Sequence, residues 1–428
     1  MTPPSRAPMA RPSLSSSQIE NGQINVSDVL VPKALVYDRD AFGGRPSGDC
    51  VRGDLFIKDG RALRLEASAT TDRPRLLIPA LTEAHCHLDK CHTISRLGEV
   101  GGDLRAAIAA QMEDKRLWTE SDLRERMDTG LSELATSGCQ TVRSHIDWPD
   151  TGEPPPAWFI LKELSTQYPD VTLQMAALTG IAQMADPSYC TSVARHVAAS
   201  KHGVLGAFLL DHAPSDTQAG LANIFDAAHR FSLALDFHVD EGLGGFNGLE
   251  AICDAALRSR FDGPVLCGHA VSLMDRNAED FQRIAGKLVK AGVAICALPT
   301  TNLYLQGRGV GTPDRRGITR LRELKKAGVS VVIASDNVAD AFCPLGQHSP
   351  MAALHLAALA AHLDPPMGDW LPAITINASN ALGVAPSFVD QATLTSLHLY
   401  DAQNTADLVA GRSTRHCVID GPHNKDQL

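Results

Sequence analysis

The 428-residue sequence contains no apolar run that approaches the ~18–20 residues of a membrane span. Its first residues, MTPPSRAPMARPSLSSSQ, carry positive charge but lack the apolar core of a secretory signal. A basic excess is missing too. Lys and Arg number 39 against 49 Asp and Glu, a net charge of -10, and the basic residues are scattered apart from pairs such as Arg315-Arg316 and Lys325-Lys326. A chain that binds a phosphate backbone or an anionic membrane needs a basic face, so no nucleic-acid and no membrane partner is expected. No C-x-x-C pair occurs among the ten cysteines, and Cys139, Cys267 and Cys296 sit inside apolar runs where a free thiol acts as a small hydrophobe. That usage predicts a reducing, cytoplasmic compartment. No G-x-G-x-x-G turn follows the first apolar run, which argues against a doubly wound dinucleotide fold.

The sequence does have a repeated alternation. Strand-like apolar runs recur, each followed by a helix-like stretch: RLLIPALTEAHCH, CQTVRSHIDW, VTLQMAALTG, GVLGAFLLDH, LALDFHVDE, PVLCGHAVS, VAICALPTT and VSVVIASDN. Intervening segments such as SDLRERMDTGLSELATSG and DFQRIAGKLVKAG have helical periodicity and end in Gly, as a helix C-cap does. Eight such β-α units predict a closed (β/α)8 barrel, assigned to residues 75–384. Residues 1–24 read as a disordered tail. Residues 25–74 and 385–428 read as short strands with Gly-rich turns, which predicts one small β subdomain built from both ends.

Polar residues fall at one end of these runs. His85 and His87 end the first, His238 and Glu241 the fifth, His269 the sixth and Asp336 the eighth. Barrel enzymes build their active sites at the carboxyl ends of the strands. Residues two apart on a strand point the same way, so His85 and His87 can grip one ion while Cys86 faces away. With His238 and Asp336 they form an N/O donor set suited to one divalent ion, Zn²⁺ or Fe²⁺.

The runs IPALTEAHCHLDK, TVRSHIDW, LQMAALTGI, DFHVDE, GHAVSL, NLYLQGR, RRGITR and ASDNVADAFCPLG resemble, in order, the cytosine deaminase branch of the amidohydrolase superfamily over about residues 70–390. H-x-H is shared widely in that superfamily, whereas NLYLQGR with RRGITR, and H-x-D-E followed by G-H, are narrower. The resemblance implies a β-sandwich for the flanking segments and metal ligation by His85, His87, His238 and Asp336. It implies that Asp336 also serves as the base toward the attacking water. Glu241 would carry a proton to the ring nitrogen beside the leaving group, and His269 would orient the nucleophile. The implied reaction is hydrolytic deamination of a small aminated heterocycle, with water as co-substrate and ammonia released.

Departures from cytosine deaminase concern the pocket. A glutamine that contacts the pyrimidine edge corresponds to Leu178, followed by Thr179; a second aspartate corresponds to Asn337, and a substrate-packing tryptophan to Phe342. Asn337 is similar to enzymes of this branch that strip amino or alkylamino groups from triazines. Gln306 and Arg308 are expected to shape the pocket mouth. Cytosine is therefore expected to be a poor substrate, since an unmatched polar edge costs about 1–3 kcal/mol.

Arg143, His145 and Asp147 alternate on the second run and should face the barrel, either as a structural layer or as catalytic groups. Asp89, Lys90 and His92 are expected to support the ligands. His348, His355 and His362, spaced by seven, read as a helix surface. The alternatives to deamination are a mononuclear hydrolase of cyclic amides or alkylamino-heterocycles and a non-catalytic binding protein. GVLGAFLLDH offers no lysine to bridge two metals, and retention of Glu241 and His269 argues against mere binding. A homo-oligomer is compatible with the sequence.

Overall fold

A computed structural model of the chain describes residues 19–20, 23–67, 73–98, 100–210, 213–309, 311–312 and 316–418. Most of the amino-terminal tail, the IDGP segment near the carboxyl end and Arg315 lie outside them.

Eight parallel strands form one sheet in chain order: β1 (Leu81–Cys86), β2 (Cys139–Asp147), β3 (Thr172–Gly180), β4 (Gly203–Leu209), β5 (Ala234–Val239), β6 (Val265–His269), β7 (Val293–Ala297) and β8 (Val331–Ile333). The alternation of pleated side chains decides what each strand contributes. On β3, Leu173, Met175 and Ala177 join the helix-facing core, while Gln174 on the opposite face bonds Arg143 inside the barrel. β1 and β8 close the sheet through a single parallel bridge between Cys86 and Asp336, where the Asp336 amide donates to the His85 carbonyl at 2.9 Å.

Helix termini behave as the sequence predicts. Thr119 caps the helix Glu120–Ser137 by accepting from the Asp122 amide, and Gly138 ends it at φ 102°. Asn277 and Gly292 do the same for Ala278–Ala291. Left-handed φ is inexpensive for glycine, so the chain can turn at once into the next strand.

The second sheet is mixed and is assembled from both ends of the chain. Arg75–Pro79 lies between Leu397–Tyr400 (antiparallel) and Gln23–Pro32 (parallel), and Cys50–Lys58 pairs with Gln23–Pro32. This corrects the reading of RLLIPALTEAHCH as one barrel strand. RLLIP belongs to the second sheet, Ala80 is the corner, and only LTEAHC enters the barrel. Both halves are apolar because both strands are buried on two faces, so composition alone cannot separate them. Among the described residues, the nine cysteines from Cys50 to Cys343 are unpaired and buried. Among the described residues, no helix is long and apolar enough to cross a membrane.

Candidate active site

Strand ends deliver the polar residues to one mouth. His85 lies in β1 and His87 one residue beyond it, His238 is the penultimate residue of β5, and His269 is the last of β6. Asp336 follows β8 and is tied to β1 by the closing bridge. His85 Nε2 lies 3.5 Å and His87 Nε2 3.3 Å from Asp336 Oδ1, and His238 Nε2 faces His87 Nε2 at 3.1 Å. His269 and Asp336 both have left-handed backbones, at φ 69° and 64°. Such strain in a non-glycine residue persists only where surrounding structure imposes it, and it clusters at functional sites.

These groups are buried without adequate partners. Both ring nitrogens of His85, Nδ1 of His87 and of His238, Nε2 of His269 and both carboxylate oxygens of Asp336 lack a hydrogen bond. An unpaired buried polar atom costs about 1–3 kcal/mol, and so many converging on one point are the signature of a ligand site. Ligand atoms of His85, His87, His145 and His238 lie within 4.8 Å of one another, as do those of His85, His269 and Asp336. Burial, reinforced by neighbouring cations and imidazoles, pushes His87 down to about 4 and holds His85 and His238 well below the usual imidazole range. Neutral imidazoles present lone pairs, so the donor set fits a divalent cation.

His145 also belongs to this imidazole cluster, its ring centroid 4.0 Å from that of His85. Its nitrogens already have neighbours: Nε2 is 3.0 Å from Asp236 Oδ1 and Nδ1 is 3.4 Å from the Cys86 carbonyl. Arg143 donates to Asp236 at 2.7 Å and to Gln174 Oε1 at 2.9 and 2.7 Å. Of the two roles left open for Arg143 and His145, these contacts fit the structural layer. Asp147 instead reaches the rim, 2.8 Å from Lys90 and 3.3 Å from Lys115.

Glu241 lies two residues past β5, with Oε2 3.7 Å from His269 Nε2. Burial raises its pKa, and the nearby His269 partly offsets this. The Gln306 side-chain amide donates to the Glu241 carbonyl and so holds that loop. On the other side of His269, Asn302 contacts Nδ1 at 3.1 Å.

The remaining pocket expectations divide. Leu178 shares the inward face of β3 with Gln174 and is buried at the strand end. Thr179, expected to bind substrate, points the other way, and its hydroxyl donates to the Gly206 carbonyl at 2.7 Å. The period of two along a strand puts neighbours on opposite faces. Asn337 donates to Asp340, whose other oxygen accepts from the amides of Phe342 and Cys343, so Asn337 shapes the loop on which Phe342 is carried. Lys90 lies over the Phe342 ring at 5.3 Å. His92, expected to support the ligands, turns instead toward Glu133 at 3.1 Å. His348 is buried in the loop before the helix Pro350–Ala360, and His362 is exposed beyond its end, so the spacing of seven does not mark a helix surface.

Sequence reasoning passed over Glu83, Asp236 and Asn302. Glu83 and Asp236 could have been found, since each lies two residues before a histidine on its strand and so shares its face.

The amidohydrolase family model matches residues 76–387. This chain belongs to the amidohydrolase family. It is thus a hydrolase acting on carbon–nitrogen bonds other than peptide bonds. This amidohydrolase is 30% identical over 373 residues to a pterin deaminase of Rhizobium rhizogenes, a match that covers 84% of this chain and 83% of the relative. In fold it is similar to 5-methylcytosine deaminase from Klebsiella pneumoniae, with a TM-score of 0.75 at 22% identity, covering 94% and 98% of the two chains. It is also similar to N-isopropylammelide isopropylaminohydrolase from Burkholderia multivorans, with a TM-score of 0.69 at 19% identity over 91% and 96%.

Proposed function

We propose that this amidohydrolase deaminates an aminated nitrogen heterocycle of the pterin class, in preference to cytosine, using one ion held by His85, His87, His238 and Asp336. The observation that carries the reading is the set of buried, partnerless donor atoms on those residues, with Glu241 and His269 beside them. His145 is left out of the ligand set because Asp236 already engages it. When bound, Zn²⁺ or Fe²⁺ would lower the pKa of a water toward neutrality.

The protein's own residues supply the proton traffic. Asp336 accepts a proton from the attacking water. Glu241, whose pKa burial raises, carries a proton to the ring nitrogen next to the amino-bearing carbon. Water's oxygen bonds to that carbon, the C–N bond breaks, and the protons pass to the nitrogen that leaves as ammonia. His269, fixed by Asn302 at Nδ1, turns Nε2 toward the nucleophile and aligns it. Leu178 and Phe342 give the pocket apolar walls with less edge-on hydrogen bonding than a glutamine and a tryptophan offer. The pterin deaminase relative supports a larger ring than cytosine.

The test is ammonia release from a panel containing pterins, aminopyrimidines and amino- and alkylamino-triazines, with the Glu241→Gln variant as control. A pterin should give the highest kcat/KM. No ammonia from any member by metal-replete protein would sink the deaminase reading, and alkylamine release would favour the alkylamino-hydrolase instead.

A further inference from the structure

A second cluster of donor atoms lies outside this mouth, where the loop after β1 meets the loop after β8. The two loops are stitched by the His92 amide donating to the Val338 carbonyl at 3.2 Å and the Ile94 amide to the Ala339 carbonyl at 2.9 Å. His92 has a left-handed backbone, φ 58°. Its ring centroid is 5.7 Å from that of His348. His348 is only 4% exposed, and neither of its ring nitrogens has a hydrogen-bond partner. Cys91 is fully buried, with Sγ near the carbonyls of Leu88 (3.2 Å) and Arg126 (3.4 Å).

The helix Glu120–Ser137 completes the surroundings. At Gly130, a Cβ would lie 2.8 Å from His348 Nε2 and 3.2 Å from Cys91 Sγ, so only glycine lets the helix backbone come this close to both. One turn on, Glu133 places Oε2 3.1 Å from His92 Nε2, with its side chain 45% exposed. One ligand atom from each of Cys91, His92 and His348 lies within 4.8 Å of the other two.

We propose that Cys91, His92 and His348 form a second cation site, suited to Zn²⁺, with the Glu133 carboxylate as fourth ligand. One sulfur, two imidazoles and a carboxylate are a donor set on which zinc takes tetrahedral coordination. A void of hydrogen bonding around a fully buried imidazole is otherwise hard to account for, because an ordinary core histidine finds a partner. Burial, with His92 nearby, pushes His348 down to about 3, so its lone pairs are available. Cys91 binds as the thiolate and gives up one proton, which makes affinity rise with pH. The half-buried His92 and the exposed Glu133 form the way in. An ion here would clamp the loops that follow the first and last strands, beside the single bridge that closes the barrel.

Cobalt tests this without recourse to activity. The full chain is stripped with chelator, then titrated with Co²⁺ and followed in the near ultraviolet. A thiolate-to-cobalt charge-transfer band should appear, together with one equivalent of metal beyond that held at the barrel mouth. The mouth cluster contains only nitrogen and oxygen donors, so the band reports this site whatever the outcome of the ammonia assay. Cys91→Ser should abolish the band and that equivalent. His92→Gln, at a half-buried position, should also lose the equivalent, and checks the result against a folding defect confined to the cysteine variant. No band at saturating Co²⁺, or a band that survives in folded Cys91→Ser, overturns the proposal.

Discussion

The alternation that lifts His85, His87 and His238 to the barrel mouth puts Glu83, Arg143, Gln174 and Asp236 on the same faces one step below. The two layers are alike in burial and in polarity, but most of the lower one is closed by its own bonds, and its two open atoms, Asp236 Oδ1 and His145 Nε2, face each other at 3.0 Å. Asp236 takes Arg143 at 2.7 Å, Gln174 joins Arg143 to the Leu382 carbonyl, and Glu83 accepts from the Ser335 hydroxyl at 2.6 Å. The upper layer ends in bare nitrogens and oxygens. A satisfied buried network rigidifies and specifies a core, whereas an unsatisfied one costs stability until a ligand completes it. The difference separates scaffold from site on geometry alone.

Four measurements can break or sharpen this contrast. The largest effect should come from Glu241→Gln at the mouth: kcat falls by about 10²–10⁴-fold, the usual contribution of a general acid–base group. Metal content and urea midpoint should stay as in the parent protein, and loss of the ion would make Glu241 a ligand. In the lower layer, Arg143→Met leaves Asp236 buried without its cation and should cost about 3–5 kcal/mol in urea unfolding. A stable variant would show that the lower layer is not scaffold.

Between the layers, β3 carries its amide low, at Gln174, and an apolar side chain high, at Leu178. Leu178→Gln should shift relative kcat/KM toward cytosine by about 1–3 kcal/mol, the worth of a matched polar edge. An unchanged ratio would remove Leu178 from the specificity argument. The smallest effect is the most discriminating. In chelated protein, His238→Gln should leave the urea midpoint unchanged or raise stability by up to ~1 kcal/mol, since the His87 ring it faces at 3.1 Å is itself part of the open cluster. Loaded with metal and compared with the parent protein, the same variant should fail to hold the mouth ion. Destabilisation comparable to that of Arg143→Met would mean that the mouth is held together like the layer below.

Much of this was legible beforehand, for a physical reason. A parallel barrel strand announces itself as an apolar run, and a histidine pair at spacing two on its end can only face one way, so His85, His87, His238, His269 and Asp336 converge as expected. What the residues did not disclose depends on partners far away in the chain. Nothing in RLLIP says that its neighbours are Leu397–Tyr400 rather than a barrel strand. Thr179 was misread because its hydroxyl looked like a pocket donor, although the strand period already set it outward. His348 was misread because a spacing of seven suggests a helix, yet Pro350 starts the helix after it. The pairing of His145 with Asp236 needed a contact between β2 and β5, which no local pattern encodes.

The bridge between Cys86 and Asp336 has a consequence for how the enzyme comes into being. The donors it brings together are separated by nearly the whole barrel in sequence, and contacts of such separation form late, after the loop-closure entropy of everything between has been met. A chain emerging from synthesis therefore displays His85, His87 and then His238 on an open sheet long before Asp336 exists to complete the set. The ligand set proposed for the mouth is thus complete only once the final strand has docked. Fragments that end before β8 should remain metal-poor and inert, however well their helices pack.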